Sequence, residues 1–261
     1  MTFQPVIPFS GYSGWLFLDR TGAAQKEAFV ESAAVERVTD TFRTRIASIT
    51  SADDLVKDRA LLSVALGAFG LDDDINNTFF IRKVLEDGTS DPDALANRLA
   101  DPRYRDLSAT FGFGTGLVLT GLSVFADDII DRYEAKQFEK AVGEQNNDLR
   151  LAMNLAPAMG DVLSGNQTDT GRWFAMMGNA PMREVFQTAL GFPSSFAALD
   201  LDKQLEQFRA RSEATFGSSR MEDISSPENQ EKLIRLFLLR SETASAVTST
   251  ASIALTLLQQ A

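Results

Sequence analysis

The chain contains no cysteine and no histidine. Without cysteine there is no disulfide, no thiolate nucleophile and no thiolate zinc site. Without histidine there is no imidazole to serve as general base, and neither a Ser-His-Asp nor a Cys-His arrangement can form. Catalysis would have to run on Asp, Glu, Lys, Arg, Tyr or Ser, or on a bound cofactor. Polar aromatics are scarce as well, with three Tyr and two Trp against 19 Phe. Purely apolar rings fill cores and make poor hydrogen-bonding platforms. Positive charge is in deficit: 25 Lys and Arg against 36 Asp and Glu give a formal net charge of −11. That balance argues against nucleic acid, which needs a concentrated basic face, and against an anionic membrane surface. The sequence lacks the run of about 18 strongly apolar residues that a transmembrane helix requires. No Lys or Arg precedes Arg20, unlike the basic start of a secretory signal, so the cytoplasm is the default compartment.

What is present is ordinary globular material, 261 residues of which 44% are apolar and 23% charged. This suffices for one large domain or two small ones. Residues 1–20 carry Pro5, Pro8, Gly11 and Gly14 and read as an extended arm, pinned by Trp15, Leu16, Phe17 and Leu18. From residue 21 the pattern turns helical, and Val35, Val38, Phe42, Ile46 and Ile49 fall at spacings of three and four on one face. Ser51 precedes Ala52-Asp53-Asp54, an N-cap with acids in the first turn. Asp91-Pro92, Asp101-Pro102 and Ser226-Pro227-Glu228 each place a capping side chain before a proline at the first helical position. Further helices are expected at 122–142, at 145–163 with an interruption at Pro157, and at 201–216. In the last, Leu201, Leu205, Phe208 and Phe216 form the apolar side. No strand-type alternation is sustained, so the expected fold is all-α, a multi-helix globular bundle. A single helical domain over 21–240 is expected, with Gly112, Gly114, Gly116 and Gly121 marking a hinge between subdomains 21–111 and 122–240. An uncharged tail covers 241–261 apart from Glu242. An internal echo accompanies this division: Ala68-Phe-Gly-Leu71, Arg103-Tyr-Arg105 and Ala109-Thr-Phe-Gly112 against Ala189-Leu-Gly-Phe192, Arg209-Ala-Arg211 and Ala214-Thr-Phe-Gly217. Two related helical halves would explain it, and so would the generic use of Phe-Gly as a helix stop.

Asp127-Asp128-Ile129-Ile130-Asp131 matches the DDxxD pattern with which isoprenoid synthases hold magnesium. Asp127 and Asp131 lie four apart on a helix and could share a hard cation. Such a site needs a second acidic motif and basic residues for pyrophosphate. Asp72-Asp73-Asp74-Ile75-Asn76 is the comparable cluster, and no Arg or Lys set accompanies it. The solvated face of an amphipathic helix, with Val124, Phe125, Ile129 and Tyr133 opposite, explains Asp127, Asp128 and Asp131 better. Asp72, Asp74 and Asn76 also fail as a calcium loop, since Asn77 and Lys83 stand where Gly and Glu are required. The Gly112–Gly116 run fails as a dinucleotide loop, because no strand precedes it and the third glycine is misplaced. Trp173, Phe174, Met176 and Met177 read as a buried patch before they read as a binding surface. The C-terminal tail sets Ile253, Leu255, Leu257 and Leu258 on a Ser/Thr/Ala background. It can pack on the chain's own body or dock on another protein in helix-in-groove fashion.

Four segments carry a family resemblance: GYSGWLFLDRT at 11–21, DDLVKDRALLSVALGAFGLDDD at 53–74, ANRLADPRYRDLSATFGFG at 96–114, and REVFQTALGFPSSFAALDLDKQLEQF at 183–208. Together they resemble a bacterial domain-of-unknown-function family, number twelve-seventeen, whose genes are often found among flagellar genes. The resemblance implies a helical protein in a flagellar context and transfers no catalytic or ligand residue. The leading expectation is therefore a non-enzymatic structural or interaction protein, without cofactor or metal, meeting flagellar or export components. A magnesium-dependent enzyme using Asp127, Asp128 and Asp131, or an apolar small-molecule or peptide binder, are the alternatives.

Overall fold

The computed structural model describes residues 3–99, 101–116, 118–165 and 167–259, with side chains described as far as residue 244. The helices in chain order are α1 (Gly11–Val30), α2 (Ala33–Arg45), α3 (Ala52–Lys57), α4 (Arg59–Ala68), α5 (Thr78–Asp87), α6 (Leu95–Arg98) and α7 (Pro102–Phe111). They continue as α8 (Phe125–Gln145), α9 (Asn147–Ser164), α10 (Asp169–Gly178), α11 (Ala180–Ala189), α12 (Leu201–Phe216), α13 (Met221–Ile224) and α14 (Pro227–Gln259). No strand occurs among the described residues, and the fold is all-α. Two compact units divide the chain: Met1–Val6 with Gly22–Ala141, and Ile7–Thr21 with Val142–Ala261. The Gly112–Gly121 run lies inside the first unit, and the chain passes to the second within α8.

In the first unit, side-chain caps start α3, α4 and α7. Ser51 accepts from the Asp54 N–H, Asp58 from those of Ala60 and Leu61, and Asp101 from that of Arg103. Each cap satisfies an amide that the helix itself leaves orphaned. Phe42, Ile46, Leu55, Leu62, Leu66, Ile81, Leu107, Phe111 and Ile129 then form one continuous core. Two glycines permit close approach within it. A side-chain carbon at Gly67 would stand 2.8 Å from the Tyr133 ring, and one at Gly114 would stand 2.3 Å from the Gly88 nitrogen.

The second unit is built around α11, which packs against α14, α9 and α10. Asn146, Thr168 and Asn179 cap α9, α10 and α11 through bonds to the Leu149, Gly171 and Met182 amides. Trp173 is fully buried and donates its indole N–H to the Ser219 carbonyl at 3.0 Å. Phe208 meets the Phe196 ring edge-on at 5.0 Å and the Phe192 ring at 5.2 Å, while Phe192 and Phe196 stack at 4.1 Å.

The sequence echo coincides with one helix stop used twice. At the end of α4 the Leu71 N–H bonds the Leu66 carbonyl at 2.9 Å, across Gly70 at φ +68°. At the end of α11 the Phe192 N–H bonds the Gln187 carbonyl at 2.9 Å, across Gly191 at φ +71°. This is the Schellman arrangement, in which a left-handed residue lets the chain turn back on the last carbonyls. An arginine serves each turn: Arg103 donates to the Gly70 carbonyl, and Arg211 to the Leu190 carbonyl at 2.7 Å.

Three sequence expectations are corrected. The N-terminal extended segment stops at Ser10, since α1 begins at Gly11. Ser10 donates to the Glu242 carboxylate at 3.0 Å, which brings an acid to the start of that helix, where the dipole favours it. Pro157 does not interrupt α9; Leu155, Ala158, Met159 and Val162 are buried around it, and that packing outweighs the roughly 3 kcal/mol cost of an internal proline. The inward stripe of α12 is Gln204, Phe208 and Ser212, with Leu201 exposed. Gln204 is admitted because its amide is consumed, donating to the Ala197 and Leu199 carbonyls and accepting from Arg183.

Trp173→Ala should destabilise the chain by about 3–5 kcal/mol in chemical denaturation. Leu201→Ala should change stability by no more than about 0.5 kcal/mol. Equal costs at the two positions would contradict the assigned packing.

Candidate functional site

The Asp127-Asp128-Ile129-Ile130-Asp131 motif opens α8 with Ile129 and Ile130 buried and all three aspartates exposed. Asp127 is held by Arg43, whose Nε lies 3.1 Å from Oδ1, and Arg43 also reaches Asp40 at 3.0 Å. Among the described residues no group of three or more acidic side chains converges as a metal site would require. One turn on, burial pushes the Glu134 carboxyl above the ordinary carboxylate range, and the charge of Asp131 adds to it.

The second acidic cluster is taken up in local structure. Asp72 accepts from Gln137 Nε2 at 2.9 Å and Lys140 Nζ at 3.2 Å. Asp74 accepts from the Tyr104 hydroxyl at 2.6 Å and from Asn77 Nδ2 at 2.7 Å. These bonds hold the 3-10 turn Asp72–Asn76 over α7 and α8. Burial, together with the donated bond to Asp74, pushes the Tyr104 phenol up to about 12. Nothing in the spacing of Asp74 and Tyr104 announces this contact; it depends on the turn after α4. A shallow open depression lies nearby, lined by Arg45, Ser48, Asp54, Lys57, Asp58 and Arg59. Its cations are engaged, Arg45 with Asp58, Lys57 with Asp53, and Arg59 with the Asn76 side chain.

Of the Trp173-Phe174-Met176-Met177 patch, Trp173, Met176 and Met177 belong to the core and Phe174 is partly exposed. The remaining candidate is α14, 33 residues long. Leu233, Ile234, Phe237 and Leu238 are buried. Arg240 then donates to the Ala189 carbonyl, Ser241 to Asp148, and Glu242 accepts from Ser10. Near the other end of the buried stretch, Glu231 accepts from the Tyr12 hydroxyl at 2.8 Å and the Trp15 indole at 3.3 Å. The helical backbone continues to Gln259, whereas the side chains of Ile253, Leu255, Leu257 and Leu258 lie outside the described residues.

This is an all-α protein of two helical units, and among its described residues no helix is long and apolar enough to cross a membrane. The chain belongs to a family described as a protein of unknown function, DUF1217, whose pattern matches residues 68–233, more than half its length. It is similar to a protein of Agrobacterium tumefaciens with a known X-ray crystal structure. The two share 28% sequence identity over 92% of this chain and 98% of that one, with a TM-score of 0.70. No curated protein matches the chain.

Two outcomes follow from this geometry. Tyr104 keeps its proton in the folded chain at pH values where the unfolded chain has lost it. The stabilisation is therefore complete below about pH 10, the ordinary phenol value, and is lost as pH rises through about 12. Tyr104→Phe should flatten that alkaline loss in denaturation measured across this range; an unchanged slope would contradict the assignment. Asp127→Asn removes one solvent-exposed ion pair and should cost no more than about 1 kcal/mol, read as a change in denaturation midpoint. A larger loss would mean that the aspartate has a partner beyond Arg43.

Proposed function

We propose that this protein is a non-enzymatic interaction protein, an assembly or accessory factor in a flagellar context, that docks through its C-terminal helix. The observation that carries this reading is α14, which stays helical to Gln259 through a sequence with no charge after Glu242. Such a sequence has no ion pairs between successive turns, and its Ser, Thr, Val and Ile residues are mediocre helix formers. Helix of that composition draws its stability from packing of an apolar stripe. Ile253 and Leu257 are four apart, a spacing with which a helix is laid into a groove. Absence of His and Cys supports a role without chemistry of its own, and the family resemblance supports the flagellar setting.

The test uses a motile host that expresses the tagged full-length chain. Cross-linked capture should recover flagellar or export-apparatus proteins, and Leu257→Asp with Leu258→Asp should abolish that recovery without lowering the melting temperature. Failure to recover any flagellar protein, or recovery insensitive to the double substitution, would overturn the reading. Millimolar Mg²⁺ should leave the melting temperature unchanged, since a ligand that binds only the folded form must raise it. A rise that Asp127→Asn removes would instead support metal-dependent chemistry.

A further inference from the structure

The exposed surface at the start of α8 has a composition that the reading above leaves unused. Val118, Leu122 and Val124 are 43%, 54% and 61% exposed, three branched aliphatic side chains within seven residues of sequence. Isolated exposed apolar residues need no explanation, but a concentration of them rimmed by polar groups marks an interaction surface. The segment that carries them is held in place. The buried Thr120 hydroxyl donates to the Ile49 carbonyl at 2.6 Å, the Leu122 and Phe125 amides bond back to Leu119 and Leu122, and Phe125 is buried in the core. Leu122 and Val124 are thus presented from a fixed turn, with Val118 just ahead of it in sequence.

Charge sits beside them in register. The Asp128 N–H bonds the Val124 carbonyl, so Val124, Asp128 and Asp131 follow one another at spacings of four and three along the outer face of α8. Phe125, Ala126, Ile129 and Ile130 are buried on the inner face. Asp127 is neutralised by Arg43, whereas Asp128 and Asp131 are exposed and make no ion pair among the described residues. Apolar anchors alone would suit several partners; the two carboxylates narrow the choice. They repel an anionic lipid surface. They also disfavour a second copy of this acidic chain, and its uncharged C-terminal segment offers no cation to meet them. Complementarity asks for an apolar segment flanked by positive charge.

We infer that Val118, Leu122 and Val124 with Asp128 and Asp131 form a docking surface for a basic amphipathic protein segment, one that presents aliphatic side chains with Lys or Arg beside them. The inference does not rest on docking through the C-terminal helix.

The probe is a synthetic amphipathic helical peptide with leucine on one face and lysine on its flanks, together with the same peptide carrying glutamate for lysine. Binding to the full chain is read by fluorescence anisotropy. The lysine peptide should bind at least roughly tenfold more tightly than the glutamate peptide. Either Leu122→Ser with Val124→Ser or Asp128→Asn with Asp131→Asn should weaken it by about tenfold or more, as loss of central anchors does. All four positions are exposed, so melting temperatures should stay at the parent value and confirm that the fold is intact. Leu257→Asp with Leu258→Asp should leave the peptide affinity unchanged, which separates this surface from the C-terminal helix. No binding of the lysine peptide, equal binding of both peptides, or affinity indifferent to the four substitutions would overturn the assignment; the last would mean general adhesion to an acidic surface.

Discussion

Short helices cannot stand unless their ends are satisfied, and this constraint governs the whole chain. A helix of ten residues leaves a large share of its backbone groups without intrahelical partners. Many of these ends are closed by a side chain, and others by a turn of the backbone itself. Ser51, Asp58, Asp101, Asn146, Thr168 and Asn179 close the starts. Gly70 and Gly191 close two of the stops, with Arg103 and Arg211 on the carbonyls beside them. Only once those groups are satisfied can the intervening apolar stripes be buried without cost. The phenylalanine-rich composition then finds its use, because rings without polar atoms fill cores without adding donors that need partners.

The same logic accounts for several of the polar residues that do sit inside. Gln204 occupies a core position on α12 because two carbonyls and an arginine consume its amide. The Trp173 indole finds the Ser219 carbonyl. Tyr104 finds Asp74 in a half-buried position. The acidic clusters that stand out in the sequence are likewise explained by what they touch. Asp72 and Asp74 fasten a turn, Asp127 balances Arg43, and Asp128 and Asp131 remain as an exposed stripe next to aliphatic residues.

Much of the fold is legible in the sequence where signals are local. Ser51 and Asp101-Pro102 mark helix starts that the structure keeps, and the boundaries of α12 at Leu201 and Phe216 coincide with the amphipathic segment. The misses arise from distant contacts. The start of α1 involves Glu242, 232 residues from Ser10, so Gly11 and Gly14 alone suggest an extended arm. The face of α12 turns on the partners of Gln204, which lie on other segments. Pro157 is tolerated because α9 is packed along most of its length. Of the candidate site, the exposure of the aspartates was readable from the helical period, whereas the apolar surface beside them needs the turn at Thr120 to be seen. Ile253, Leu255, Leu257 and Leu258 stand out in sequence as apolar residues on an uncharged helix, and no local signal names a partner for them.

The account rests on the claim that the uncharged C-terminal half of α14 is a docking element. Amide hydrogen exchange over residues 243–259, compared for the chain alone and for the chain with its captured partner, addresses it most directly. The account predicts marked added protection in the complex, confined to this segment and its immediate surroundings. Protection already equal to that of the Trp173 core in the chain alone, and unchanged by any partner, would show instead that the segment belongs to the protein's own body.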